Sequence, residues 1–383
     1  MHTRVDAIDS GTTNVMIALK QIRARLDGLL AAVNADGGTA AVDGGGRMTA
    51  NRTLADKHRV CITSWPICGG PNALDSNDVN SVFAWCTAHG YEGLEVSVDD
   101  FRGKWFPGEP YDIVVARVNE AIAASGVPVV GALYHVTDGD QGTPDRRMHK
   151  DGTRLDLDFH DVDVWEEMAR RLDLDAAIGA TYITYQISLP PKYFQAGGEY
   201  RHDTAYHKRV GLYIARLQAM CFARGLNFYV ETHVDRISED PEGFCAIMDA
   251  CPVYFEVNAD ISHYNYCGIT KGPFLERILG RVGHTHQRMA RQYGDLSADV
   301  PDPSQDWDEK GLTFQAYASM EKALKGGLSS RCIVGESGPI FLVTDALGLD
   351  ATLVPLYRAM ARRADAEAAG TAPPTADNPF RGK

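Results

Sequence analysis

The chain has 383 residues, of which 44% are hydrophobic and 23% are charged, a composition typical of a globular protein that needs no disulfides to fold. Its formal net charge is −13 and no run of lysines or arginines occurs, so we expect no nucleic-acid partner. No C-x-x-C pair, no run of about 18 apolar residues and no apolar signal segment is found, so we expect free buried thiols, no membrane partner and a cytoplasmic location.

Both ends of the chain are predicted to lie outside the main domain. Residues 1–57 form an N-terminal extension, in which apolar positions at helical spacing between Asn14 and Asn34 predict one helix. The Gly/Ala-rich stretch Gly37–Gly46 then predicts a flexible linker. Residues 364–383 are rich in Ala, Pro, Asp and Gly, which is typical of a disordered tail. The catalytic domain is therefore expected at residues 58–363.

Within residues 58–363, short apolar runs alternate with amphipathic helical patterns. The predicted strands are Val60–Ser64, Gly93–Ser97, Val129–His135, Tyr182–Ile187, Asn227–Glu231, Val253–Asn258, Val282–His286 and Cys332–Glu336. The predicted helices are Val79–His89, Tyr111–Ala124, Asp163–Leu172, Ala205–Arg224, Pro241–Ala250, Pro273–Leu279, Thr313–Lys325 and Ala351–Arg363. Eight such units predict an α/β protein with a (β/α)₈ (TIM) barrel, in preference to a doubly wound open sheet.

The carboxyl ends of the last four predicted strands contain metal-binding residue types. Glu231, Asp260, His286 and Glu336 stand there, and strand ends of a barrel converge on one rim. Three carboxylates gathered at this rim would repel one another without a cation between them. Oxygen and nitrogen ligands together suit Mn²⁺, Mg²⁺, Co²⁺ or Zn²⁺. We therefore predict one divalent ion, with Mn²⁺ as the first choice, although any one of the four could have a structural role.

Further histidines lie near the same rim. His284 and His286 share one face of a strand; we expect His286 to bind the metal and His284 to lie deeper in the core. His135 ends the third predicted strand and His233 follows Glu231 by two residues. Either could act as an additional acid or base, or could be a structural histidine.

The ordered set resembles the xylose isomerase-like barrel superfamily, and within it the sugar isomerase and epimerase branch. The resemblance covers about residues 58–345 and rests on Glu231, Asp260-x-x-His263, His284-x-His286, Glu336-x-Gly338-Pro339 and the second-strand sequence Gly90–Val96. It implies that Glu231, Asp260, His286 and Glu336 bind the metal and that the two glutamates also transfer protons. It further implies that His263 binds substrate and that Arg288 or Arg291 holds substrate oxygens.

Removal of a proton beside a carbonyl, with a metal-stabilised enediolate, would isomerise or epimerise a carbohydrate-like substrate. With a leaving group β to the carbonyl, the same residues would act as a lyase, as in the dehydratase and 3-oxo-glycoside deglycosidase-like relatives. The long loop Pro190–Tyr200 keeps this alternative open, because it could shape a larger pocket or contact a partner subunit.

Two other functions are less favoured. An abasic-site DNA endonuclease of the same superfamily would need an Asp-x-His after the seventh strand, and Asp299–Pro303 lacks the histidine. A metal-free accessory subunit would not need a complete ligand set. We expect a homo-oligomer, or a complex with an accessory subunit.

Overall fold

The computed structural model describes residues 57–68, 78–97, 105–138, 155–189, 199–266, 272–287 and 328–336, together with single residues at 193 and 269 and between 354 and 369. The predicted N-terminal helix and linker, the predicted helix Thr313–Lys325 and both candidate arginines, Arg288 and Arg291, lie outside the described residues.

The strands of the described residues form a single parallel sheet. They are β1 (Arg59–Thr63), β2 (Gly93–Ser97), β3 (Val129–Asp138), β4 (Leu155–Leu157), β5 (Tyr182–Ile187), β6 (Asn227–Glu231), β7 (Glu256–Asp260), β8 (Val282–Gln287) and β9 (Cys332–Gly335). Strand β1 pairs with both β2 and β9, and β2 also pairs with β3, so the sheet closes on itself. Eight strands form the barrel and the short β4 pairs with the end of β3 outside it. The predicted (β/α)₈ barrel is confirmed.

Helices surround the barrel. In the described part of the chain they are α1 (Ser64–Cys68), α2 (Val79–His89), α3 (Tyr111–Ser125), α4 (Val162–Ala177), α5 (Thr204–Phe222), α6 (Pro241–Ala250), α7 (Ile261–Tyr266) and α8 (Pro273–Leu279), with a 3₁₀ turn at Glu199–His202. Aspartates begin four of them, because each carboxylate accepts backbone N–H groups of the first turn; these are Asp78, Asp161, Asp203 and Asp240. Each such cap stabilises its helix by about 1 kcal/mol.

The inside of the barrel is divided into an apolar half and a polar half. At the amino end of the strands the interior is filled by Cys61, Val130, Tyr182, Tyr229, Cys332 and Val334. The larger core lies between the strands and the helices. Because the amino-end half is filled by side chains, the polar residues inside the barrel are confined to the carboxyl ends of the strands.

The sixth predicted strand was placed three residues early. Val253, Tyr254 and Phe255 form an apolar run, but pairing with β6 begins only at Glu256, opposite Tyr229. Tyr254 is 37% exposed and lies under the guanidinium of Arg281, outside the sheet. The apolar residues Val253–Phe255 therefore belong to the connection that precedes β7 and do not pair with a neighbouring strand. The strand consequently ends at Asp260, which pairs with His286.

Two further differences concern the ends of elements. The strand β4 was not predicted, because three residues that pair along one edge leave almost no periodic signal. Asp365 and Ala366, which follow the expected end of the domain at residue 363, are helical. The carboxylate of Asp365 accepts hydrogen bonds from the backbone N–H (2.8 Å) and ring Nδ1 (2.7 Å) of His58, which fixes it to the start of the barrel.

No helix among the described residues is both long enough and apolar enough to cross a lipid bilayer.

Candidate metal centre

Four neighbouring strands bring the four predicted ligands together. Glu231 is the last residue of β6, Asp260 the last of β7, His286 lies near the end of β8, and Glu336 directly follows β9. The side chains are buried, with exposures of 0%, 0%, 1% and 6% respectively. One ligand atom from each lies within 4.8 Å of the others. The parallel register causes this convergence, because every strand ends at the same rim.

The spacing of the ligand atoms suits one divalent ion. His286 Nδ1 lies 2.6 Å from Glu336 Oε2 and 3.4 Å from Glu231 Oε1. Ligands bound octahedrally at about 2.1 Å are separated by about 3.0 Å along an edge, between these two values. Glu231 Oε1 and His286 Nδ1 are both buried, and their closest polar contacts are with each other and with Glu336. Buried ligand atoms that converge on one point are what a metal ion satisfies.

The pKa values of the centre are displaced in opposite directions. Burial is the main cause that raises the pKa of Glu231 to about 7; His286 opposes this shift, and the charge of Glu336 adds to it. Burial disfavours the charged form of His286, yet Glu95, Glu231 and Glu336 hold its pKa well above its usual value. Both displacements have one origin, which is a buried imidazole surrounded by several buried carboxylates. A cation is the natural complement of such a set.

In two of the predicted carboxylate ligands, Glu231 and Asp260, a neighbouring group forms a hydrogen bond with one of the two oxygens. Gln186 Nε2 donates to Glu231 Oε2 at 3.0 Å, which leaves Oε1 on the side of His286. The backbone N–H of Ser262 donates to Asp260 Oδ1 at 3.0 Å, and the Ser262 hydroxyl donates to the same oxygen. These bonds orient the carboxylates before any ion binds.

The role of Gln186 was missed by the sequence analysis. It is a polar residue of β5, in which every residue is buried, and it points to the same face of the sheet as Thr184. Polar residues at alternate positions of a buried strand were the pattern that could have identified it. Behind it, the buried Arg236 places its Nε 3.4 Å from Gln186 Oε1. The buried Arg236 guanidinium is thus connected to Glu231 through the side chain of Gln186.

Another contribution comes from β2, on the far side of the barrel. Glu95 accepts from His286 Nε2 at 2.8 Å and from His284 Nε2 at 3.1 Å. Although burial opposes its charge, the two histidines hold the pKa of Glu95 well below its usual range. Burial lowers the pKa of His284 to about 4.

His284 lies one layer deeper than His286. Its ring packs against Tyr182 and Tyr229, with ring centroids 4.3 and 5.4 Å apart, and its Nδ1 lies 2.9 Å from Ser330 Oγ. Its contacts are thus with the apolar half of the barrel interior, whereas His286 faces Glu231 and Glu336.

The other predicted histidines border the centre without joining the four-residue set. His263, on α7, is fully buried with its Nε2 3.3 Å from Asp260 Oδ2. The ring of His233 lies against that of His263, with centroids 3.7 Å apart, and both histidines are near Glu231. His135 is half-buried and lies opposite Gln186 in the β3–β5 register, so its side chain points into the barrel.

Of the long loop Pro190–Tyr200, the structure describes Tyr193, Glu199 and Tyr200. Tyr193 and Tyr200 are buried and pack around Tyr206 of α5, with centroids 5.1 and 6.2 Å from its ring. The described tyrosines of the loop therefore pack on the helix layer.

Comparison with known proteins gives the fold. The chain is similar to the crystal structure of the probable 3-DHS dehydratase AsbF of Bacillus anthracis, with 10% identity, a TM-score of 0.50, and coverage of 77% of this chain and 98% of that one. Other solved structures found are the 3-keto-D-glucoside 4-epimerase YcjR of E. coli (17% identity, 77% and 100% coverage, TM-score 0.46) and the zinc-binding IolI protein (12% identity, 78% and 99% coverage, TM-score 0.49). No family model and no curated protein sequence matches the chain. The similarity to the first of these structures is a similarity of fold, the (β/α)₈ barrel.

Proposed function

We propose that this protein is a divalent-metal-dependent isomerase or epimerase of a sugar or sugar derivative. The observation that carries the proposal is that Glu231 Oε1 and Glu336 Oε2 both lie close to His286 Nδ1, at 3.4 and 2.6 Å, at the carboxyl ends of the strands. Two carboxylates in one site can divide the roles of base and acid, so that one removes a proton from a substrate carbon and the other returns a proton to it. Together with Asp260 they form the buried four-residue ligand set.

The roles of the residues follow from their positions. Glu231, Asp260, His286 and Glu336 would hold the ion, and when bound it would polarise the substrate carbonyl and offset negative charge on its oxygens. Glu231 or Glu336 would act as base, and the other as acid. Gln186 would keep Glu231 oriented through its bond to Oε2. The rings of His263 and His233 lie against each other, close to Asp260 and Glu231. These two histidines would contact substrate hydroxyls.

Mn²⁺ is our first choice of ion, because the set contains three carboxylates and one imidazole. Hard oxygen ligands suit Mn²⁺ and Mg²⁺, while the imidazole admits Co²⁺ and Zn²⁺. Elemental analysis of freshly prepared, chelator-free protein should find about one equivalent of a divalent metal per chain. An active preparation without metal would contradict the proposal.

The reaction is tested by incubating the protein in deuterium oxide with a panel of ketoses, inososes and 3-oxo-glycosides. An isomerase or epimerase should introduce one deuterium at the carbon beside the carbonyl and return a sugar of unchanged composition. A protein that exchanges no carbon-bound hydrogen in any member of the panel, with metal occupancy measured, would contradict proton abstraction as the chemical step.

The second candidate is a lyase that uses the same residues. It is favoured by the neighbouring rings of His233 and His263, since elimination needs an acid that protonates the leaving group and both rings lie next to the candidate base Glu231. In the same assay a lyase would convert the substrate to an unsaturated product that has lost water or an alcohol. Mass spectrometry of the products therefore separates the two candidates.

A further inference from the structure

A carboxylate that is not among the proposed ligands connects two histidines inside the barrel. Glu95 lies on β2 and is fully buried, and its two oxygens are divided between two rings of β8. Oε1 lies 2.8 Å from His286 Nε2, and Oε2 lies 3.1 Å from His284 Nε2. Strand β8 is three strands away from β2 around the barrel, so this contact crosses the interior.

The hydrogen-bond partners determine which ring nitrogens carry protons. An ionised carboxylate only accepts, so both His286 and His284 must donate from Nε2. The Nδ1 of His284 then accepts from the Ser330 hydroxyl at 2.9 Å, while Ser330 Oγ itself accepts from the backbone N–H of Cys332 at 3.2 Å. Every atom of this chain has a partner of the correct type. With Nε2 committed to Glu95, His286 presents Nδ1 to Glu231 and Glu336.

We propose that Glu95 is the positioning residue of the metal centre. It fixes His286 with a proton on Nε2 and Nδ1 directed at the ion, and it uses His284 as a brace that keeps the carboxylate in place. Partners of this kind behind a metal-bound histidine set its ring orientation and raise its basicity as a ligand. The inference rests on the metal site of the proposed function, but it does not depend on which sugar reaction occurs there.

A different interpretation of the same contacts is an additional ion held by Glu95, His284 and His286, whose ligand atoms also lie within 4.8 Å of one another. The hydrogen bonds argue against it, because both oxygens of Glu95 and both Nε2 atoms already pair with each other. An ion there would displace both bonds in a fully buried region. Such an ion would appear as a second equivalent of bound metal.

The test uses variants of the full-length protein and measures metal affinity. Glu95→Ala removes both acceptors, and we expect Mn²⁺ or Co²⁺ to bind about 10–100-fold more weakly in competition with a chelator. Glu95→Gln keeps one acceptor for His286 Nε2, and its amide can donate to His284 Nε2 once the proton of His284 moves to Nδ1. Affinity should therefore be largely restored in Glu95→Gln. One equivalent of metal is expected in every case.

The matched control is Asp175→Asn. Asp175 is as buried as Glu95, but it lies on α4 and accepts from the hydroxyl of Tyr134, between the strands and the helices. Replacing this buried carboxyl group by an amide should leave metal affinity unchanged. An equal loss of affinity in the control would show that buried carboxyl groups in general, and not Glu95, support the centre, and would overturn the proposal.

The second measurement needs no variant. In wild-type protein with ¹⁵N-labelled histidine, the nitrogen chemical shifts should show His286 protonated at Nε2. An unprotonated Nε2 would overturn the proposal even if Glu95→Ala fails to fold, and so would native affinity in a folded Glu95→Ala protein. Wild-type protein that binds no divalent ion would overturn both this inference and the proposed function. A metal-binding protein that acts on no member of the sugar panel would overturn the proposed function alone.

Discussion

Asp175 offers a direct measurement of how strongly this fold penalises a buried carboxylate, at a position without metal ligands. It lies between β3 and α4, fully buried, and accepts from Tyr134 Oη at 2.5 Å. Burial raises its pKa from the usual 3.8 to about 7, against the opposing effects of Tyr134 and Arg171. Since desolvation is also the largest influence on Glu231, the two sites share one physical cause.

The sign of the pH dependence follows from the direction of this shift. The folded protein retains a proton on Asp175 at pH values where the unfolded chain has released it. Stability from this group is therefore full below about pH 4 and falls as the pH rises towards 7, by about 1.4 kcal/mol for each pH unit. Between pH 5 and pH 8 the wild-type protein should lose roughly 2–3 kcal/mol through Asp175.

Asp175→Asn removes the titrating group and keeps an acceptor for Tyr134. The free energy of unfolding, from reversible urea denaturation, should therefore increase in the variant relative to wild type as the pH rises from 5 to 8, by roughly 2–3 kcal/mol. Any constant cost of the amide cancels in this comparison, as do the other titrating groups. A difference that does not change with pH would refute the argument, because it would mean that Asp175 is ionised in the fold.

Three other predictions concern the centre itself. His286→Ala should abolish metal retention and activity, whereas His284→Ala should mainly lower the free energy of unfolding; the reverse result, by metal analysis and denaturation, would show that His284 is the ligand. Glu231→Gln and Glu336→Gln should each lower kcat by about 10²–10⁴-fold, measured at saturating metal with the metal occupancy determined. Near-native rates in both variants would mean that the base is another residue, with His135 or His233 as the next candidates. Mn²⁺ at about 100 times its Kd should raise the free energy of unfolding by about 2.7 kcal/mol relative to chelator-treated protein, and urea curves that coincide with and without metal would argue against binding to the folded state.

The barrel, and the convergence of Glu231, Asp260, His286 and Glu336 at one rim, could be predicted because they depend on local patterns. Periodic apolar segments placed α2, α6 and α8 at their observed bounds. Strand ends then brought distant residues to one rim, since parallel strands of a closed sheet share a direction. For the same reason Glu231 and His286, 55 positions apart in the printed sequence, could be expected to meet.

Contacts across the barrel interior could not be predicted in this way. The pairing of Glu95 with His284 and His286 depends on the radius and stagger of the closed sheet, which no local pattern records. The bond from Gln186 to Glu231 has the same origin. The start of β7 was misplaced because Tyr254 is apolar for a different reason, its packing under Arg281. Sequence periodicity thus located the four converging residues and missed the contacts that Glu95 and Gln186 make with them.

The apolar filling of the amino-end half of the barrel determines how molecules can travel to and from the proposed centre. Tyr182, Tyr229 and their neighbours fill the amino-end half of the barrel interior, so among the described residues the route to the proposed centre runs through the carboxyl-end mouth. In the proposed reaction, product would leave by the route that the next substrate uses, so product inhibition should be competitive. A proton taken by Glu231 or Glu336 would reach bulk water through the same mouth. While a substrate fills the mouth, the abstracted proton can be returned to the substrate carbon before it exchanges with solvent. This return should compete with the uptake of solvent deuterium and lower the amount of deuterium found in the product.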